Sequence, residues 1–255
     1  MAAIRSVSRA LAILKAINRH GSMSLTDIAA EARLPYPTVT RIVQTLIDEG
    51  LIARGPARKR FHPTALVQTL SLGFQSHDHL AVKARPHIDT LTKKLAWPVS
   101  VATRVGLSMM VRASTHTQTA LTLNLYYPGY TLPILGCATG KAVAAFVPAD
   151  ERRGILEGLK EFGDNEDRTT AKQFESAALI RRIKTQGYAT HQHNIHTENP
   201  GKTSSIAVPL FDGDMVAGAI SLNFFASALK MSAAEARFAP DLKAIAARIS
   251  KDIAR

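Results

Sequence analysis

The chain has 255 residues, 46% of them hydrophobic, which is enough to bury a substantial core in one or two domains. Its formal net charge of +12 and sequence pI of about 10.1 are typical of soluble proteins that bind a polyanion, most often nucleic acid. A single cysteine excludes a disulfide framework, no apolar run is long enough to span a membrane, and the N-terminal segment lacks the uninterrupted apolar stretch of a signal peptide, so we expect a cytoplasmic protein without membrane contact.

The first 63 residues predict three short helices followed by a hairpin. Apolar residues recur at three- and four-residue spacing along the first helix, at Ile4, Val7, Leu11, Leu14 and Ile17. In the second helix, Ser24-x-x-Asp27 has the form of a capping box. A third helix is predicted over residues 38–49, and two extended stretches around a Gly-Pro pair form the candidate hairpin. The buried face of the third helix is predicted to consist of Val39, Ile42, Val43 and Leu46. This order of elements is typical of a winged helix-turn-helix over residues 1–63.

The same module is the more basic part of the chain. Residues 1–62 contain ten Lys or Arg against four Asp or Glu. Polar side chains on the second and third helices could read base edges and phosphates, and the candidates are Ser24, Thr26, Tyr36, Pro37, Thr38, Thr40, Arg41, Gln44 and Thr45. The hairpin adds cations suited to the DNA backbone, which are Arg54, Arg58, Lys59 and Arg60. The alternative is a small helical packing domain with a solvated charged face.

The rest of the chain predicts a linker helix over residues 64–80 and a mixed α/β domain over residues 81–255. Strands are predicted at 99–105, 108–114, 120–126, 187–191, 204–211 and 215–225, and helices at 139–147, 149–160, 173–186 and from 232 to the end. The strands do not alternate strictly with helices, which argues against a dinucleotide-binding fold. The fold class is therefore α+β, with a predominantly antiparallel sheet in the second domain.

Residues 136–143, GCATGKAV, resemble a phosphate-binding loop. A Walker loop needs a glycine where Leu135 stands and a hydroxyl where Ala142 stands, so ATP or GTP binding is not expected. A turn of small residues that opens a helix still presents free backbone N–H groups, which hold a carboxylate as readily as a phosphate. The alternative is an N-cap by Thr139 with nothing bound.

Two groups of motifs make the chain similar to a known family. RALAILKAINRHGSMSLTDIAAEARLPYPTVTRIVQTLIDEGLI resembles the winged helix-turn-helix of the IclR transcriptional regulators. LPILGCATGKAVAAF, IRRIKTQGYATH and SSIAVPLF…MVAGAISLNF resemble the family's effector-binding domain. The resemblance covers nearly the whole chain and implies a GAF-like C-terminal domain. Within the family, WPVSVAT, MMVRASTH and SALKMS are most similar to regulators of aromatic-acid catabolism, in particular of 3-(3-hydroxyphenyl)propionate degradation.

The resemblance also implies the residues of an effector pocket. The turn whose amides would take the effector's carboxylate consists of Cys137, Ala138, Thr139 and Gly140. Further pocket residues implied by the resemblance are His191, Ser205, Ser221 and Asn223, the last two sharing one strand face because they are two residues apart. One of the adjacent Met109 and Met110 should point inward, and Met110 is a candidate lining residue, with simple packing as the alternative. Cys137 is unusual for its position, which leaves open whether it packs or touches the ligand.

Two further features bear on function. The chain departs from the family at Tyr36-Pro37 and at Thr40, where a polar-basic pair and a histidine are usual, so the operator readout stays open. HQHNIH places His191, His193 and His196 close together, either as a metal pair or as a polar loop over the pocket. No cofactor and no metal are expected, and no Gly-x-Ser-x-Gly elbow or positioned acid–base pair indicates an enzyme.

The sequence therefore predicts a DNA-binding transcriptional regulator rather than an enzyme. Its partners would be double-stranded operator DNA, a small carboxylic acid that is aromatic by resemblance, and further copies of itself in a homodimer or homotetramer, with contact to RNA polymerase left open. The acid would modulate operator binding of a catabolic operon. The alternatives are a small aliphatic keto acid as effector, a small-acid enzyme with a basic N-terminal head, and a DNA binder that responds to no ligand.

Overall fold

The computed structural model describes residues 4–56, 59–71, 79–124 and 126–254. The chain divides into two compact units, Met1–Ser76 and His77–Arg255. Within the described residues, no helix combines the length and the apolar character that crossing a membrane requires.

The first unit contains the three predicted helices and the predicted hairpin. Its elements are α1 (Arg5–His20), α2 (Leu25–Ala32), α3 (Tyr36–Asp48), β1 (Ile52–Arg54) and β2 (Phe61–Pro63). The capping box at the start of α2 is confirmed, because the Ser24 hydroxyl accepts from the Asp27 amide and the Asp27 carboxylate accepts from the Ser24 amide, both at 3.2 Å. The helices enclose a small core whose fully buried members include Ile13, Ile17, Ile28 and Val39.

The predicted apolar face of α1 is only half correct. Leu14 and Ile17 are buried, whereas Ile4, Val7 and Leu11 are at least half exposed. The core contacts of α1 come from its C-terminal half. The apolar periodicity of the sequence therefore extends further toward the N-terminus than the residues that pack. On α3, Ile42 is only half-buried, and the helix begins at Tyr36 because the proline that follows is tolerated in a first turn.

The predicted linker helix takes a different form. Ala65–Ser71 is a 3₁₀ helix, residues 72–78 lie outside the described residues, and the next α-helix, α4 (His79–Leu95), belongs to the second unit.

The second unit is built on one six-stranded sheet. Its strands are β3 (Val99–Val105), β4 (Ser108–Ser114), β5 (Thr131–Pro133), β6 (Ala189–His191), β7 (Thr203–Asp212) and β8 (Met215–Phe225). They lie in the order β5-β4-β3-β8-β7-β6, and every neighbouring pair is antiparallel. Its remaining helices are α5 (Ala138–Phe146), α6 (Ala149–Phe162), α7 (Asn165–Phe174), α8 (Ala177–Gln186) and α9 (Met231–Ile253).

Alternate residues of the sheet belong to two separate cores. Ala207 and Ala219 pack in the core that includes α5 and α6, while Val208 and Ile220 pack in the core that includes α4 and α9. Because successive side chains of a strand point to opposite faces, the sheet lies between two helical layers. This arrangement bears out the predicted α+β class.

One predicted strand of this unit was wrong, and one predicted helix begins later than expected. No strand forms over the described part of 120–126; Asn124 is instead buried and accepts hydrogen bonds from the backbone and side-chain nitrogens of Asn199, both at 3.1 Å. These tertiary contacts override the strand pattern. The sheet edge is formed instead by β5, and Pro133 is tolerated there because an edge strand does not need every backbone N–H to donate to a neighbour. The helix predicted over 173–186 is confirmed as α8, but it begins at Ala177 after the capping Ser176 hydroxyl, and residues 173 and 174 end α7.

Candidate functional site

Helix α3 carries a solvent-facing polar surface. Thr40, Arg41, Gln44 and Thr45 are exposed. The hydroxyls of both threonines donate to carbonyls one turn earlier in the helix, at 3.0 and 3.1 Å, and keep their acceptor capacity. The Arg41 guanidinium makes no hydrogen bond or ion pair with any described residue, so it is available to an anion. Elsewhere on this helix, Tyr36 is 51% exposed, Pro37 is exposed and Thr38 is half-buried.

A series of side-chain hydrogen bonds connects α3 to the hairpin. Arg54 on β1 donates to the side-chain oxygen of Gln44 at 3.0 Å, and the Gln44 amide nitrogen donates to Asp48 at 2.8 Å. The Arg54 guanidinium also lies over the ring of Phe61, 5.9 Å from its centroid. Two predicted DNA-contacting residues are thus held in a fixed relation before any DNA is present.

The other predicted DNA contacts differ in their freedom. Lys59 is exposed, and Arg58 lies outside the described residues. Arg60 donates to the backbone oxygen of Ser22 at 2.6 Å and to its hydroxyl at 3.2 Å, which anchors the second hairpin strand near the start of α2. Ser24 is occupied as the N-cap of α2, whereas Thr26 in the first turn is exposed.

A cavity lies between the sheet of the second unit and the start of α5. It brings together six of the predicted effector-binding residues, which are Cys137, Ala138, Thr139, Ser205, Ser221 and Asn223. The side chains of Ser205, Ser221 and Asn223 make no hydrogen bond within the described part of the chain, so their polar atoms are free for a ligand. None of the described residues that line the cavity carries a formal charge.

Cys137 both packs and lines this cavity. Its thiol donates to the Pro133 carbonyl at 3.4 Å and lies 3.2 Å from the Thr139 hydroxyl. Burial raises the pKa of the Cys137 thiol, so it is neutral at physiological pH. The helix begins at Ala138 with Cys137 at the N-cap position and no side-chain cap bond. The predicted N-cap by Thr139 is therefore wrong.

Three predicted pocket residues are not among those lining the cavity. Met109, rather than Met110, faces it, because adjacent strand residues point to opposite faces. A Cβ on Gly140 would lie 1.7 Å from the Ile134 carbonyl oxygen, so this glycine permits the close approach of α5 to the preceding segment. His191 lies on the sheet-edge strand β6, beside Ser205 in register.

Sequence reasoning missed several lining residues. Ser100, Tyr126, Asn194 and Met109 contribute polar or soft groups, and Ala102, Val111 and Leu132 complete the apolar wall. Ser100 could have been found from strand register, since it stands opposite Ser221 on β8. Tyr126 and Asn194 reach the cavity from loops; Asn194 belongs to the HQHNIH segment predicted as a polar loop over the pocket, whereas nothing local marked Tyr126. Burial raises the pKa of the Tyr126 phenol, which therefore remains a hydrogen-bond donor.

The three histidines of HQHNIH point to different surroundings. His193 is exposed and contacts the Gly201 carbonyl at 3.1 Å, whereas His196 lies 3.1 Å from the Glu166 carboxylate. The ring of His191 is largely buried, and burial with the nearby charges of Lys141 and His196 lowers its pKa to about 3. Among the described residues, no group of three or more His, Cys, Asp or Glu is arranged to hold a metal ion.

Comparisons with known proteins agree with both units. Residues 6–56 match the IclR helix-turn-helix domain, and residues 74–251 match the family described as Bacterial transcriptional regulator IclR C-terminal. The chain is 25% identical over 241 residues to the Pca regulon regulatory protein of Pseudomonas putida, covering 94% of this chain and 80% of that protein. The matched proteins are transcriptional regulators and not enzymes.

Two solved structures share the fold over almost the whole chain. One is an IclR family transcriptional regulator from Brucella abortus, with a TM-score of 0.64, 24% identity, and coverage of 98% of this chain and 92% of that one. The other is an IclR homologue from Microbacterium hydrocarbonoxydans complexed with 4-hydroxybenzoate, with a TM-score of 0.64, 18% identity, and coverage of 97% and 98%.

Proposed function

Because this chain belongs to the IclR family of bacterial transcriptional regulators, we propose that its operator binding is modulated by a small carboxylic acid held in the cavity of the second unit. The favoured effector is a hydroxylated aromatic acid, and the regulated genes form a catabolic operon. The protein acts as a homodimer or homotetramer, in which two winged helices read two half-sites of double-stranded DNA related by symmetry. If it acts as an activator, it contacts RNA polymerase at the promoter.

The surface of α3 supports the DNA half of the proposal. Arg41 is an exposed cation whose guanidinium has no partner among the described residues, and Gln44 presents an amide whose orientation is fixed by Arg54. Arginine and glutamine are the side chains that make bidentate contacts with guanine and adenine edges. Arg54, Arg58, Lys59 and Arg60 in the hairpin supply charge for the adjacent phosphates.

The uncharged cavity carries the effector half of the proposal. The cavity combines an apolar wall with hydroxyl and amide groups, which is the usual lining of a small-molecule site. Met109, Val111 and Leu132 provide the surface for an aromatic ring, and Ser205, Ser221 and Asn223 provide partners for ring hydroxyls. The carboxylate is directed to the amides of Ala138 and its successors, where the helix dipole favours negative charge. The Microbacterium homologue, complexed with 4-hydroxybenzoate, supports this class of ligand.

A small aliphatic keto acid is the second candidate for the same cavity. It is favoured by the number of short polar side chains converging there, since Tyr126 is the one aromatic side chain among the described lining residues. A keto acid would use the same amides and leave the apolar wall largely unfilled. The two candidates are separated by affinity within one panel of ligands.

The test is fluorescence anisotropy on labelled intergenic DNA upstream of the protein's own gene. Binding is measured at two salt concentrations, with competitor DNA, and with hydroxylated aromatic acids or pyruvate added. We expect binding that resists competitor, weakens with salt, and changes with an aromatic acid by a coupling free energy of about 1–3 kcal/mol. Tight binding that no acid changes would leave the DNA half of the proposal standing and overturn the effector half.

A further inference from the structure

A second cavity lies elsewhere in the same unit, with an empty volume of about 460 Å³. It is lined by residues of α5, α7 and α8 and by the segments next to α5 and in β6, and it shares no lining residue with the cavity described above. Its lining is chemically different, because it includes two cationic side chains, Lys141 and Arg182.

Lys141 is a partly buried cation with no counterion among the described residues. Its ammonium group makes no hydrogen bond or ion pair with any residue that the structure describes, and burial lowers its pKa. The titratable groups that act on it are the Cys137 thiol and the His191 imidazole. The thiol is neutral because burial raises its pKa, and the imidazole is neutral because its pKa is about 3.

Within the described residues, the groups that act on Lys141 therefore supply no negative charge. A desolvated cation without an anionic partner is costly, which makes such a group in a cavity a candidate for binding an anionic ligand. His191 lies near Lys141 but is not among the residues that line this cavity. Its Nδ1 atom is the buried side-chain polar atom that has no hydrogen-bond partner among the described residues.

The remaining lining decides which kind of anion would fit. Arg182 and Gln173 are exposed at the cavity's rim, so the charged end of a ligand can meet two cations and an amide. Leu135, Phe174 and Ile183 are buried and form an apolar wall. Leu179 lies in front of them and is only partly buried, so an organic acid could cover its apolar surface with a hydrocarbon part and an inorganic anion could not.

We propose that this second cavity binds a small organic carboxylate with an apolar body, whose carboxylate pairs with Lys141 and Arg182 and whose body packs on Leu179. The site is separate from the effector cavity and does not depend on DNA binding. The two sites share no lining residue, although α5 contributes residues to both.

The test is NMR titration of the full-length protein labelled with ¹³Cε-lysine, using benzoate, inorganic phosphate and benzyl alcohol as probes. The Lys141 signal is identified by its loss in Lys141→Met, and the exposed Lys184 signal, identified with Lys184→Met, is the matched control on α8. We expect benzoate to shift the Lys141 signal saturably, in the wild type and in the variant carrying Ser221→Ala and Asn223→Ala. Phosphate and benzyl alcohol should each bind with less than about a tenth of the affinity of benzoate. This corresponds to a difference in binding free energy of about 1.4 kcal/mol.

Three results would overturn the proposal. If benzoate up to about 10 mM leaves the Lys141 signal unmoved, the cavity does not bind carboxylates even at millimolar affinity. If phosphate binds as well as benzoate, the site takes an inorganic anion and not an organic acid. If the shift disappears in the Ser221→Ala and Asn223→Ala variant, Lys141 reports the effector cavity and no second site exists. The operator assay is separate, so failure here leaves the proposed function untouched.

Discussion

The guanidinium of Arg54 and the side-chain oxygen of Gln44 are joined by a 3.0 Å hydrogen bond that links the hairpin to helix α3. Both residues are exposed, so the pair adds little to folding stability. The pair instead fixes the orientation of the Gln44 side chain, because Arg54 and Asp48 both bind its amide group.

We expect this pair to couple in DNA binding. In a double-mutant cycle of Arg54→Ala and Gln44→Ala, operator affinity should show a coupling free energy of about 0.5–1 kcal/mol or more, since removing either residue frees the other. The free energy of unfolding, measured by urea denaturation, should show a smaller coupling. Additive losses of operator affinity would mean that the two residues contact DNA independently.

Arg41→Ala should weaken operator binding at least tenfold, because an exposed guanidinium without a protein partner is lost from the DNA-facing side of α3. Such a loss is about 1.4 kcal/mol or more. Anisotropy with the intergenic DNA measures it, and effector affinity should not change. Arg153→Ala, which removes an exposed arginine of α6 in the other unit, is the matched control. Equal operator binding by both variants would remove α3 from the DNA interface.

The double substitution Ser221→Ala and Asn223→Ala should weaken binding of a hydroxylated aromatic acid by about 1–3 kcal/mol, since two free polar groups of the cavity are removed. Calorimetric titration measures the loss, and operator binding without ligand should be retained. Ser232→Ala on the exposed side of α9 is the control. An unchanged isotherm would place the effector elsewhere.

Gly140→Ala should destabilise the second unit by about 1–3 kcal/mol or more, because the added methyl would overlap the Ile134 carbonyl. Gly154→Ala on α6 is a matched control, since a Cβ there meets no atom within 4 Å and alanine favours the helix. Urea denaturation should therefore show opposite signs for the two variants. Equal stabilisation by both would contradict the close approach of α5.

The buried imidazole of His191 should make stability depend on pH. Its pKa is about 3 in the folded chain against 6.5 for an ordinary histidine, so between these values the unfolded chain binds a proton that the folded chain excludes. The contribution of His191 to stability is complete above pH 6.5 and falls as the pH is lowered toward 3, by at most about 1.4 kcal/mol per pH unit.

The measurement is the difference in unfolding free energy between wild type and His191→Gln across this range. The difference should vary with pH, because glutamine does not titrate. His79→Gln, an exposed position at the start of α4, controls for loss of an ordinary histidine. If the difference in unfolding free energy between wild type and His191→Gln stays constant with pH, then folding does not change the protonation of His191.

The amino-acid sequence determined those parts of this protein whose signals are local. The capping box at Ser24, the hairpin of β7 and β8, and the alternation that puts Ser221 and Asn223 on one face follow from residue order, because their atoms interact within a few positions. The motifs also determined the family.

Only the tertiary structure decided what depends on contacts between distant segments. It turned residues 120–124 into a loop because Asn124 pairs with Asn199, and it placed Met109 instead of Met110 in the cavity. It also brought Tyr126 and Asn194 to the effector cavity and left Lys141 partly buried without a counterion. Burial and pairing across the fold carry no local pattern, so periodicity and propensity could not report them.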